Sequence, residues 1–231
     1  MVDAYTQPIR IKPVIENKLR PLYQKFLVDP VVKRIINQCT PNQITLVSCM
    51  LGIGVIPTLL MQQHIVATLL LLLSGYCDTL DGSLARLKLQ SSNVGTVLDI
   101  MSDRLVEFAV IFALFALNPV SNSWGAVMML GSILMCVTSF LVVGIFTPNN
   151  SHKGFHYSPG LMERAEAFIF FIAMIWFPRY FNILSSVFCI LVLWTAYVRI
   201  QEFMQQFKAM SSNEQPELVG KFSDENISTG I

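Results

Sequence analysis

Cys77 to Arg104 reads CDTLDGSLARLKLQSSNVGTVLDIMSDR, and this stretch decides how the rest of the chain is read. It places Asp78, Asp81, Asp99 and Asp103 against segments that are otherwise oily. Asp78 and Asp81 are three apart, and Asp99 and Asp103 are four apart. On helices, each pair therefore shares one face. Carboxylates near a membrane edge are expensive and turn into the bundle or a wet cavity. Arg86 and Arg104 supply one nearby cation per helix, too few to neutralise four acids. Divalent cations would do so, and hard oxygen ligands favour Mg²⁺, Mn²⁺ or Ca²⁺. Two such ions can share four carboxylates.

The glycines sharpen this reading. A helical Gly costs about 1 kcal/mol relative to Ala and is tolerated where a ligand or a second backbone comes close. Gly82 follows Asp81 directly, and Gly95 lies one turn before Asp99. Acids, glycines and an arginine on one side of a membrane point to a pyrophosphate ligand. The competing explanation is a structural salt-bridge cluster with the glycines as packing residues.

Outward from this stretch, the 231 residues are 53% hydrophobic and only 13% charged. Soluble domains carry about 25% charged residues, so the composition is that of a membrane protein. A net charge of +1 identifies no partner, and nothing calls for nucleic acid. Five scattered cysteines without a CxxC pair make neither a disulfide framework nor a zinc site. The N-terminus lacks the apolar core of a cleaved signal peptide.

About 20 apolar residues span a bilayer as a helix. By that rule the chain is all-α and polytopic, with six spans: 43–61, 65–77 (continuing outside the membrane core to 86), 94–117, 124–146, 161–177 and 181–203. Lys and Arg mark the cytoplasmic side. Seven of the 16 precede residue 35, and Arg86, Lys88, Lys153, Arg164 and Lys208 fall on the same side as the N-terminus. Both termini and the aspartates are therefore expected in the cytoplasm. Residues 1–40 form a cytoplasmic segment with an amphipathic interfacial helix, broken near Pro30, whose basic residues suit anionic headgroups. The transmembrane domain covers 41–208, and a polar tail expected to be disordered covers 209–231. Thr40 and Pro41 read as the cap and first turn of the first span.

The full string, D-x2-D-G-x2-A-R-x8-G-x3-D-x3-D, is made by Asp78, Asp81, Gly82, Ala85, Arg86, Gly95, Asp99 and Asp103. It resembles, without a departure, the signature of the CDP-alcohol phosphatidyltransferases. The likeness extends to PNQIT before the first span and covers roughly residues 41–203, closest in kind to bacterial members that make phosphatidylglycerol phosphate or phosphatidylinositol phosphate. It implies an integral protein of a bacterial inner membrane. CDP-diacylglycerol and a small polar acceptor alcohol would be its substrates, and CMP would be released. It further implies Mg²⁺ or Mn²⁺, two ions per site, held by Asp78, Asp81, Asp99 and Asp103, with Asp103 as general base. Asn42, Thr45, Gly82, Arg86 and Ser92 would contact the CDP moiety. Homodimers are common in that family.

Lys153, Arg164 and Arg104 are candidates for the phosphate of a phosphorylated acceptor such as glycerol 3-phosphate or inositol phosphate. GLMERAE is similar to the corresponding stretch of inositol-phosphate members. Local pairing is the alternative: Arg164 with Glu163 or Glu166, and Arg104 with Glu107. Serine or unphosphorylated inositol would not require these cations. A membrane prenyltransferase would need a second Asp-rich motif, and no Asp follows Asp103 until Asp224. A cation transporter would place acids at the membrane midplane on several spans.

Overall fold

A computed structural model describes residues 23–88, 92–146 and 164–227, with side chains as far as 205 and at 207. Every regular element among them is helical. A π-helical turn, Gln24–Val28, leads into α1 (Asp29–Ile35). Pro30 sits in the first turn of α1, where a missing N–H leaves no bond unmade. The expected break near Pro30 is therefore a change of helical pitch.

α2 (Pro41–Ile53) opens on a reciprocal cap. The Thr40 hydroxyl accepts from Gln43 N at 3.4 Å, and Gln43 Oε1 accepts from Thr40 N at 2.9 Å. Pro57, which cannot donate to residue 53, explains why α2 gives way at Gly54 to α3 (Val55–Leu60). A tight turn with Gln62 at φ 58° leads to α4 (His64–Leu87). α5 (Asn93–Leu117) starts where the Ser92 hydroxyl accepts from Gly95 N at 3.0 Å. α6 (Pro119–Phe146) follows at once, and buried Asn122 donates to Leu114 O at 2.8 Å to tie the corner. α7 (Arg164–Trp176) and a 3₁₀ turn, Pro178–Tyr180, precede α8 (Phe181–Ile227).

Helices Pro41–Leu60, His64–Leu87, Pro119–Phe146 and Pro178–Gln205 are long and apolar enough to cross a membrane. Six spans were expected. α5 has the length but carries Asp99, Asp103, Arg104 and Glu107. Over the described residues α7 has 13 residues and covers about 20 Å of a hydrocarbon layer about 30 Å thick. The backbone of α8 stays helical to Ile227, into the stretch from residue 209 for which a disordered tail was expected.

The core lies where α3 to α8 meet. Leu59, Leu71, Val110, Ile111, Phe171 and Phe188 are buried in it. Small polar residues bring α2 and α4 together: Ser48 Oγ donates to Ser74 O at 2.7 Å and Ser74 Oγ to Ser48 O at 2.8 Å. Leu69, Leu72 and Leu73 of α4, Met135 of α6 and Ile190 and Trp194 of α8 face outward. Such apolar exteriors suit lipid, not water. A second, smaller cluster seats α1 on α4: Val28 and Val32 pack with Ile44, Leu80 and Leu84.

Candidate active site

α4 and α5 bring Asp78, Asp99 and Asp103 together, with one carboxylate oxygen from each within 4.8 Å of the other two. Three hard oxygens converging on one point fit a divalent cation such as Mg²⁺ or Mn²⁺ better than a softer metal. Asp81 stands beside this group. It is 5% exposed, and its Oδ2 accepts from Thr45 Oγ1 at 2.5 Å. The same hydroxyl lies 3.1 Å from Pro41 O, so its one hydrogen is shared between that carbonyl and Asp81, and α2 fixes its position.

Arg164, at the start of α7, reaches into the same cluster. Its Nη1 pairs with Asp78 Oδ1 and Asp103 Oδ1, and its guanidinium lies 5.4 Å from the centre of the Phe168 ring. Its Nη2 is buried and has no hydrogen-bond partner among the described residues. One cation among three acids leaves the group electronegative. Arg104 takes the local alternative and meets Glu107 at 2.9 Å. Lys153 lies outside the described residues.

A cavity of about 150 Å³ opens beside the acids. Asn42, Thr45, Gly82 and Ser92 line it, together with Asp81 and Asp99. Arg86 stands next to it, its Nη1 3.8 Å from where a Cβ on Gly82 would lie. The residues expected at a nucleotide thus share one recess with two of the aspartates. Thr96 also lines the recess and was not anticipated. Its i+4 relation to Ser92, whose carbonyl accepts from its hydroxyl at 3.2 Å, was the available signal.

Residues 38–199 match the model of the CDP-alcohol phosphatidyltransferase family, so the chain belongs to that family and is an enzyme of phospholipid synthesis. It is an integral membrane protein. It is 28% identical over 207 residues to the inner membrane protein YnjF of Escherichia coli K12, covering 87% of this chain and 94% of that one. It is 32% identical over 147 residues to a phosphatidylinositol phosphate synthase of Corynebacterium glutamicum, covering 63% and 67%. The solved phosphatidylinositol phosphate synthase of Mycobacterium tuberculosis with CDP-DAG bound superimposes with a TM-score of 0.64 at 16% identity, over 77% of this chain and 93% of that one. At that identity the likeness concerns the fold.

Proposed function

We propose that this enzyme moves a phosphatidyl group from CDP-diacylglycerol to a phosphorylated polyol and releases CMP. The observation that carries this reading is the union of three converging carboxylates with a recess lined by Asn42, Thr45, Gly82 and Ser92. The recess would take the CDP moiety, with Arg86 forked onto its phosphates. Asp78, Asp81, Asp99 and Asp103 would hold two ions, Mg²⁺ or Mn²⁺. When bound, such ions offset the charge that develops on the leaving phosphate. A homologous fold has been solved with manganese and citrate, which supports this assignment.

In the transfer, the acceptor hydroxyl oxygen bonds to the phosphorus that carries diacylglycerol. The bond from that phosphorus to the bridging oxygen breaks, and CMP leaves with the electron pair. Asp103 orients the hydroxyl and takes its proton. Arg164 stands where an acceptor phosphate would meet it, with Nη2 unspent. Relatives named for inositol phosphate products, from C. glutamicum and from Methanothermobacter thermautotrophicus (30% identical over 159 residues), favour inositol phosphate over glycerol 3-phosphate, and both over serine or free inositol.

A six-span topology would add α5 and α7 to the four apolar helices, with Phe108 and Phe112 of α5 and Ile169 of α7 turned outward toward lipid. Both termini and the acids would then face the cytoplasm, where Lys and Arg are concentrated. The turn and helix at 24–35 would lie at the headgroup level, with Phe26 and Leu27 exposed toward lipid.

The deciding experiment is CMP release by purified protein in detergent with CDP-diacylglycerol and Mn²⁺ or Mg²⁺, offering each acceptor separately. Release that requires inositol phosphate and vanishes in Asp78→Asn is expected. Release supported equally by serine would overturn the acceptor assignment. An Asp103→Asn variant with full activity would remove the base.

A further inference from the structure

The N-terminal turn does more than rest against the bundle. It is tied down by Tyr76, whose hydroxyl donates to Leu27 O at 2.8 Å, and by the edge-on contact of Tyr23 with the Tyr76 ring at 6.4 Å. Val28 and Val32, both fully buried, close the contact from the other side. This anchoring delivers one polar side chain into α4. Gln24 Nε2 donates to Ser83 Oγ at 2.9 Å and to Asp29 Oδ1 at 3.1 Å.

Ser83 is 3% exposed and has no spare capacity. A hydroxyl has one hydrogen and two lone pairs. Its hydrogen goes to Thr79 O at 2.8 Å, so it accepts from both Gln24 and Arg86, the latter through Nη2 at 3.0 Å. The amide orientation of Gln24 is fixed by the same reasoning, because both of its partners are acceptors. Asp29, Gln24, Ser83 and Arg86 thus form one connected network, with Ser83 Oγ as the common acceptor for Gln24 and Arg86. With its hydrogen on Thr79 O and Gln24 on one lone pair, Ser83 Oγ presents its other lone pair to Arg86 in one fixed direction.

We infer that Gln24, acting through Ser83, is a positioning residue that holds the Arg86 guanidinium ready for the pyrophosphate of the CDP donor. The inference rests on the donor-site reading above, and extends that site to a segment before residue 38, where the family match begins. A free Arg side chain loses substantial rotamer freedom when it binds a ligand. A guanidinium already fixed on one nitrogen has less to lose, and its remaining donors stay available to an anion.

The test compares Gln24→Leu, Arg86→Gln and the double variant in the full chain, loaded with Mn²⁺. CDP affinity is read by calorimetry, the KM values for donor and acceptor by CMP release, and folding by the thermal midpoint. Gln24→Leu should weaken CDP binding and raise the donor KM about three- to tenfold, the scale of one lost hydrogen bond. The acceptor KM should hold. In the Arg86→Gln background the same change should add nothing, because residues in one network are not additive. If Gln24→Leu lowers the thermal midpoint by many degrees, Ser83→Ala, which deletes one oxygen, carries the test with the same expectations. Unchanged CDP affinity, or a full effect persisting without Arg86, overturns the inference while leaving the donor site intact. Arg86→Gln that binds CDP normally would overturn the donor-site reading, and this inference with it.

Discussion

Along α4, residues 64–74 and 76–87 share one helix and one register yet meet opposite surroundings. Ala67, Leu71, Ser74, Asp78, Asp81 and Ala85 follow each other at steps of four and three, a single stripe on the helix. In the first half the stripe is dry: Ala67 and Leu71 are fully buried in the main core. In the second half it meets the other acids, Thr45 and the recess. The clustered carboxylates are therefore the continuation of a packing face. Their aim is set by how the apolar half seats, since a helix transmits rotation along its length.

This contrast is broken most severely from the wet half. Asp78→Asn should reduce CMP release by about three orders of magnitude, roughly 4 kcal/mol in the barrier. Its metal-free thermal midpoint should be no lower than that of the metal-free parent, because neutralising one of three crowded acids relieves repulsion. A large fall in that midpoint would mean that Asp78 stabilises the bundle instead. From the dry half the signs exchange. Leu71→Ala should cost about 3 kcal/mol of stability in detergent denaturation, as other buried leucines do. CMP release per folded molecule should remain within a few-fold of the parent. If activity collapses in fully folded Leu71→Ala, the two halves are coupled more tightly than the stripe implies.

Local features of the site were legible in the sequence because they are written in short spacings. The i,i+3 and i,i+4 acids and the Thr40 cap lie in the structure where the spacing puts them, whereas the Ser92 cap emerges only from the structure. Asn42, Thr45, Gly82 and Ser92 came together because two caps and one glycine bracket the same recess. Arg164 was harder to place. Its local choices were Glu163 and Glu166, and its partners include Asp103, 61 positions away. Gln24 and Ser83 are 59 apart, and no periodicity links them. The seat of the N-terminal turn was likewise invisible, since an amphipathic pattern alone does not say that Val28 and Val32 meet Leu80 and Leu84. Tertiary pairing of this kind depends on how helices cross, which a single chain's pattern does not encode.

The junction between the halves gives a smaller effect. A Cβ on Gly75 would lie 2.8 Å from Cε2 of Phe168, the ring that Arg164 covers. Gly75→Ala should cost about 1–2 kcal/mol as the aromatic ring shifts, the scale of mild overpacking. Because Phe168 underlies Arg164, the KM for a phosphorylated acceptor should rise more than that for CDP-diacylglycerol. Equal changes in both would separate the ring from the acceptor site.

The smallest effect is the most discriminating, because it reverses in sign. Gly82 sits in the same helix as Gly75, but a Cβ there meets nothing closer than Arg86 Nη1 at 3.8 Å. The packing of the protein alone therefore gives no reason for glycine at 82, and helix propensity argues against it by about 1 kcal/mol. Gly82→Ala should raise the thermal midpoint slightly while lowering CDP affinity, because the added methyl group would project toward the recess that a ligand must enter. A stabilised protein with weakened nucleotide binding would show that residue 82 is kept small for its ligand. A stabilised protein with unaltered CDP affinity would show that the nucleotide passes elsewhere. The wet half of α4 would then owe its chemistry to the acids alone.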